Sequence, residues 1–366
     1  MSQTQPLRVG VVGAGIGAGY VAGFQKQAGV DVVAICAQTP TRMAGVASKY
    51  KIPSMYSAYE DMLLKEPLDI VAVATPNHLH HSMVLAALEA RKHVLCDKPL
   101  AMSVAEARDM TDRAERSGLR HFVPFTWRFL PAALYLKEII ASGFLGELFH
   151  ANVRYYVCGW GDPQGPMRWQ YDRNLAGSGA LGNLGSHAIH MIEWWLGPIR
   201  KVCARLRTAV KERIAAGEGR VTIQVDDTCA VIAELADGIP VVFDISSVAL
   251  VPRISMEISV HGSEGSLLFQ DDWGRVDAFT GRILAMRRND QVPTCVQIPT
   301  RLTGEFLDAP DYVTPVRSCF TRMTAEFIQA IRENRQAEPN FHDGLRVQEV
   351  IDAILKSARE DCWVPL

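Results

Sequence analysis

Long apolar runs are missing from this sequence. Crossing a bilayer takes about 20 consecutive apolar residues, and none of the 366 positions opens such a stretch, so no membrane span is expected. The amino terminus, MSQTQPLRVGVVGAG, lacks the basic, then apolar, then small-residue order of a secretory signal, and a cytoplasmic protein is the expectation. Charge of one sign is lacking as well: 38 Lys and Arg stand against 40 Asp and Glu. A formal net charge of −2 offers no field to nucleic acid or to an anionic membrane, which leaves a small molecule as the expected partner. Paired cysteines are absent too. Cys36, Cys96, Cys158, Cys203, Cys229, Cys295, Cys319 and Cys362 are scattered with no CxxC among them. They suit reduced residues better than a disulfide framework or a zinc site. No repeat or low-complexity segment appears.

What is present is the composition of a globular protein, 48% hydrophobic and 21% charged. A chain this long exceeds one ordinary core, so two domains are expected. Leu7 to Val12 reads as a buried strand running into Gly13-Ala14-Gly15-Ile16-Gly17-Ala18, a G-x-G-x-x-G/A pattern. Gly13 permits the tight turn, Gly15 lets a pyrophosphate approach the backbone, and Ala18 allows close helix packing. A helix from Gly17 to Gln27 would aim its free amides at the phosphates. At the end of the next strand, Val30 to Cys36, an NAD site has an acidic residue for the ribose. Here the chain reads Ala37-Gln38-Thr39-Pro40-Thr41-Arg42. Ala37 removes repulsion, and Gln38 and Arg42 could meet a 2′-phosphate, which tips the expectation from NAD toward NADP. Arg42 has a second reading, as a solvated residue of the following helix.

Strand and helix alternate through residue 125, which implies a doubly wound parallel sheet. The stretch from Asp69 to Leu100 is its centre: Ile70 to Ala74 and Val94 to Cys96 are short β-branched runs, with helical spacing of Met83, Val84, Ala87 and Leu88 between. Pro99 disfavours the α region for Lys98, so Lys98 is expected at the carboxyl edge of the sheet, where ligands bind in open α/β folds. Thr75-Pro76-Asn77-His78-Leu79-His80-His81 lies at a strand-to-helix switch. Without a nearby carboxylate or thiolate cluster, Thr75, Pro76, Asn77 and His80 read as cofactor-side polar residues and no metal is expected. Ser103 and Glu106 form a capping box for a helix to Ser117.

Past Phe129 the period changes to 2. His150 to Val157, Val202 to Thr208, Thr228 to Leu235, Val241 to Ser247, Ile254 to His261 and Ser266 to Phe269 read as antiparallel strands. The expected division is 1–125 and 126–366. Residues 159–180 form a loop rich in Gly, Pro, Trp and Arg, and the aromatic faces of Trp160 and Trp169 mark it as a binding loop. Gly182 to Leu196 reads as a helix on which Asn183 and His187 share a face at a spacing of four, with His190 adjacent. Residues 209–219 read as an exposed excursion. The apolar content of the sheet leads us to expect a second subunit on its outer face; helices of the same chain are the alternative cover.

The pieces GAGIGA at 13–18, TPNHLH at 75–80, HVLCDKPLA at 93–101, TWRF at 126–129 and GSGALGNLGSHAIH at 177–190 together resemble the Gfo/Idh/MocA family, the relatives of glucose-fructose oxidoreductase and inositol dehydrogenase. The resemblance implies a Rossmann domain followed by an α/β domain with a large, mostly antiparallel sheet. It also implies a nicotinamide cofactor, a sugar, cyclitol or related polyol as substrate, and a homodimer or homotetramer. Lys98 falls on the lysine of the family's EKP motif, with Asp97 in place of the glutamate. His187 falls on the histidine of its D-x-x-x-H motif, with Asn183 in place of the aspartate. His190 stands where a later aspartate is usual. The expected activity is hydride transfer with His187 as base and Lys98 as hydroxyl-orienting cation, while Trp127 and Arg128 are expected substrate contacts. Two other readings stay open at this point: a lyase or glycosidase that oxidises transiently with its NAD retained, and a non-catalytic sugar or nucleotide sensor.

Overall fold

A computed structural model describes residues 5–215, 217, 219–251, 254–273, 281–307 and 314–366. The chain divides into two compact units, Met1–Thr126 with Val316–Gln348, and Trp127–Pro315 with Glu349–Leu366.

In the first unit β1 (Leu7–Val12), α1 (Gly17–Phe24), β2 (Val30–Cys36), α2 (Pro40–Tyr50), β3 (Ser54–Tyr56), α3 (Tyr59–Lys65), β4 (Ile70–Val73), α4 (His80–Glu89), β5 (His93–Cys96), α5 (Val104–Ser117) and β6 (His121–Phe122) follow one another. The six strands pair in parallel in the order β3-β2-β1-β4-β5-β6. Strand order reverses between β1 and β4, which opens a crevice at their carboxyl ends. Every residue of β4 is buried, as is Val94–Cys96 of β5, because helices cover both faces of a parallel sheet. The α5 cap forms with one change from expectation. Ser103 accepts from Glu106 N, while the Glu106 carboxylate reaches Met102 N instead of Ser103 N.

Residues 316–348 complete this unit. Phe320 meets Tyr20 edge-on with centroids 4.9 Å apart, and Phe327 stacks on Phe122 at 5.7 Å. The two-residue strand β6 needs this cover: Val123 N donates to Pro339 O, and His121 Nδ1 accepts from Phe341 N at 3.1 Å. Helix α1 runs only to Phe24, shorter than the span to Gln27, and the Gln27 side chain instead donates to Thr321 O and Thr324 Oγ1.

In the second unit α6 (Pro131–Ala141), β7 (Leu148–Val157), the single turn α7 (Arg173–Ala176) and α8 (Ser186–Leu196) precede β8 (Lys201–Arg207), β9 (Glu212–Ala215) and β10 (Gly219–Thr222). Then come β11 (Thr228–Glu234), β12 (Pro240–Ser246), β13 (Ile254–Gly262), β14 (Gly265–Trp273), β15 (Arg282–Arg287), β16 (Thr294–Cys295), α9 (Thr300–Leu307) and β17 (Val364–Pro365). Nine strands pair as β16-β15-β14-β13-β7-β12-β11-β8-β17, with β7 and β12 the parallel pair. Alternation sends Ala151, Val153 and Tyr155 of β7 inward with Val231, Phe243 and Ile258. Trp195 of α8 meets Phe269 of that face edge-on at 5.6 Å. The other face carries Ile232 and Val242 exposed, with an Arg154–Glu257 ion pair of 2.5 Å among them. The excursion expected at 209–219 is a hairpin: β9 pairs with β10 as a separate two-stranded sheet, and Arg213 is buried in it. No helix among the described residues is long and apolar enough to cross a membrane.

His121 supplies a stability prediction. Burial pushes its imidazole down to about 3, with His342 and Arg120 adding to the effect. Because the folded value lies below the ordinary 6.5, the unfolded chain takes up the proton first. The stability contributed by neutral His121 is therefore present above pH 6.5 and lost as pH falls toward 3. In urea titrations over that range, His121→Gln should flatten the slope of stability against pH by up to about 1.4 kcal/mol per pH unit. A slope equal to that of the unsubstituted chain would refute the assignment.

Candidate active site

The first unit offers a cradle at the crevice between β1 and β4. Gly13 has φ +108°, and a Cβ there would lie 2.2 Å from Ala74 O, so the turn closes onto the end of β4 only as glycine. A Cβ on Gly15 would meet nothing within 4 Å, which leaves open space against the backbone just ahead of α1. Ile16 is exposed at the N-cap of that helix, and Gly17 begins it. Helix termini leave their first N–H groups without intrahelical acceptors. Thr75 Oγ1, at the end of β4, is buried with no hydrogen-bond partner among the described residues. An open glycine turn, a helix N-terminus and an unsatisfied hydroxyl fit the pyrophosphate and adjoining groups of a dinucleotide.

At the end of β2, Ala37 is half-buried and donates its N–H to Tyr56 O, while Gln38 and Arg42 are exposed, Arg42 in the first turn of α2. At the end of β5, Asp97 is buried. Its Oδ1 accepts from Tyr20 OH at 3.0 Å and from Lys98 N at 2.8 Å. Burial raises the Tyr20 pKa well above its ordinary value, and Asp97 adds to this, so the phenol stays protonated and donates. His80 is fully buried between two carbonyls, Nδ1 to Pro99 O at 3.1 Å and Nε2 to Thr75 O at 3.0 Å. It ties the turn after β4 to the segment after β5. Lys98 keeps part of its surface exposed but is surrounded by protein, and this burial lowers its ammonium pKa while Asp97 opposes the shift. Pro76 is half-buried and Asn77 buried beside them. The three histidines of the turn diverge: His78 is exposed, His80 points inward, and His81 pairs with Asp109 at 2.9 Å. Among the described residues no group of three His, Cys, Asp or Glu could hold a metal.

In the second unit Trp127 is buried. Its Nε1 donates to Tyr155 OH at 2.9 Å, and its ring centroid lies 5.8 Å from that of His187. The Arg128 guanidinium stands over Trp194 at 4.7 Å. His190 is buried, and burial followed by the Arg128 charge drives its pKa well below the ordinary value; it is a neutral packed residue. The helix carrying these histidines departs from expectation. Leu181–Gly185 is a π-turn, and the α-helix begins at Ser186. The extra residue in that turn moves half-buried Asn183 off the straight i, i+4 line to buried His187. Trp160 packs edge-on against Tyr171, 5.2 Å between centroids, in a cluster with Ile223, Val225 and Met167. Half-buried Trp169 opens the short helix Trp169–Tyr171.

Two anchoring residues, Asp226 and Tyr20, were not singled out in the sequence. Asp226 accepts from Gly179 N at 2.8 Å and Leu181 N at 2.7 Å through its carboxylate, and from Ala180 N at 2.9 Å through its carbonyl. A Cβ on Gly179 would lie 1.8 Å from Asp226 O, which explains the glycine. The paired acids ahead of β11 were the available signal. Tyr20 was missed similarly; an aromatic residue within a glycine-rich helix start was its sign.

Residues 7–125 match a family model described as an oxidoreductase family with an NAD-binding Rossmann fold, and residues 133–268 match one described as a GFO/IDH/MocA C-terminal domain. A levoglucosan dehydrogenase of Pseudarthrobacter phenanthrenivorans is 29% identical over 346 residues, spanning 90% of this chain and 88% of that protein. A D-glucoside 3-dehydrogenase of Escherichia coli is 32% identical over 203 residues, 53% of this chain and 55% of that one. A solved structure of levoglucosan dehydrogenase in complex with NADH and L-sorbose superposes with a TM-score of 0.89 at 27% identity and covers 98% of both chains. With both family models matched in order and the parallel and antiparallel sheets they imply present, the chain belongs to the Gfo/Idh/MocA family of oxidoreductases.

Proposed function

We propose that the protein is a dehydrogenase of sugars or related polyols that moves a hydride between a secondary alcohol carbon and a nicotinamide dinucleotide. The observation that carries this reading is the end of β5, where Asp97 and His80 hold the Lys98 segment beside the glycine cradle. The names of the two dehydrogenase relatives support the sugar class. When bound, the dinucleotide supplies the hydride acceptor. Gly13, Gly15, Ile16 and Gly17 face its pyrophosphate in this reading, and Thr75, Pro76, Asn77 and Asp97 line its nicotinamide half; His80, expected there from the sequence, is fully buried and instead holds the segments that do so. Ala37, Gln38 and Arg42 receive the adenosine ribose, and the lack of a carboxylate there supports NADP over NAD.

Lys98 orients the substrate hydroxyl and stabilises its developing negative charge. His187 takes the hydroxyl proton on an imidazole nitrogen, held by the neighbouring Trp127 ring. Arg128, Trp160, Trp169 and Asn183 are assigned to the sugar. A reducing, cytoplasmic setting accords with eight cysteines, none of which is in a disulfide. The exposed Ile232 and Val242 support a second copy against the outer sheet face. Light scattering of the purified protein should then give at least twice the mass of the 366-residue chain, and a monomer at micromolar concentration would discard that part.

Fluorescence titration and turnover assays against a panel of aldoses, cyclitols and glycosides test the chemistry. Lys98→Ala and His187→Ala should bind the dinucleotide as the parent does, more tightly as NADPH than as NADH, and lose at least about 100-fold in turnover. Full activity in both variants would end the reading. Asn183→Asp should place a charge near His187, raise its pKa and move the acidic limb of the kcat/KM profile up by about one pH unit. An unmoved limb would show that residue 183 does not act on the base.

A further inference from the structure

Within the second unit, the loop after β7 and the hairpin β9–β10 are joined by one side chain. Arg213, in β9, is 3% exposed. Its Nη1 donates to Asp162 O at 2.9 Å, its Nη2 donates to Trp160 O, and its Cζ stands 3.9 Å from the centroid of the Tyr171 ring. The backbone follows the same path. Met167 N donates to Ile214 O at 2.7 Å, and Pro166 bridges Ile214 in parallel. Beneath lies the cluster of Tyr171, Ile223 and Val225 with Trp160 and Met167 packed against it.

Every one of these Arg213 contacts falls on residues 160–171, and its Nε has no hydrogen-bond partner among the described residues. Burying a guanidinium without a carboxylate to face it is costly. Two carbonyls and a π face offset that cost here, and what the arrangement achieves is a fixed loop. A lysine could not do the same, because only a planar fork reaches two carbonyls while lying flat on a ring.

We propose that Arg213 is a positioning residue that latches the 160–171 loop in the conformation that receives the sugar; this rests on the assignment of Trp160 and Trp169 to the substrate. A loop ordered before binding spares the substrate the ordering cost. Releasing the latch therefore weakens sugar binding with little effect on the chemical step.

The test uses the full chain with Arg213→Ala and Arg213→Lys. Hydrogen exchange without sugar should show lost protection at the Met167 and Tyr171 amides in both variants. KM for the best sugar should rise about tenfold, far more than kcat falls, while the dinucleotide Kd stays at the parent value. Arg213→Lys retains the charge, so parent-like KM and protection in that variant would overturn the proposal even if Arg213→Ala fails to fold. Protection lost with KM unchanged would overturn it as well, by uncoupling the loop from the sugar. Failure of the parent to turn over any sugar would instead refute the substrate reading, and the exchange data would still decide whether Arg213 holds the loop.

Discussion

Three consecutive backbone N–H groups, those of Gly179, Ala180 and Leu181, end on the single residue Asp226, and the geometry of the second unit around His187 depends on that capture. Orphan N–H groups at a helix start need acceptors. Here they come from a different segment, the extended chain just before β11. Burial raises the Asp226 pKa, and the backbone donors from Leu181 and Gly179 oppose the shift; a negative charge at that terminus is also favoured by the helix dipole. Asp227, next in the chain, turns the other way and accepts from Ala209 N and Val210 N. Successive side chains of an extended segment point to opposite sides, so two adjacent acids can anchor the His187 helix and the approach to the β9–β10 hairpin at once. Ile223 and Val225 of the same segment pack under the loop that carries Trp160.

The first unit solves a similar problem with different groups. The chain after β5 must leave the sheet edge with Lys98 held in place. Asp97 is short enough for its carboxylate to fold back on the next residue's N–H while also meeting the Tyr20 hydroxyl. His80 contacts one carbonyl from each of two loops. A neutral imidazole has one N–H to donate, so only one of those contacts is a full hydrogen bond. Protonation would satisfy both, and burial, the larger influence on the His80 pKa, opposes protonation.

The parallel sheet was legible because its signals are local: continuous β-branched runs, a glycine turn between strand and helix, and a proline after Lys98. The strands of the second unit were legible from alternation for the same reason. The contents of the 159–180 loop and the 209–219 hairpin were not. Period and turn chemistry describe a segment against its own neighbours, whereas Arg213 is buried by Trp160, Asp162 and Tyr171, more than 40 residues earlier. An arginine between Glu212 and Ile214 reads as a solvated strand residue until its partners are known. Asp226 was hidden by the same distance, since an acidic pair before a strand reads as a turn.

The π-turn at Leu181–Gly185 shows how a remote anchor reshapes a local pattern. The sequence argument set Asn183 and His187 on one face by counting four residues of regular helix. Ser186 N instead donates to Leu181 O, five residues back, while Asn183 N reaches Gly179 O, four back. Gly179 and Leu181 are the residues whose N–H groups the Asp226 carboxylate holds, so the turn that carries Asn183 is fastened at its start from outside the helix. A side chain four positions before His187 is therefore oriented by the capped turn as much as by helical periodicity, and the amide at 183 does not have the geometry that an aspartate would have in an unbroken α-helix.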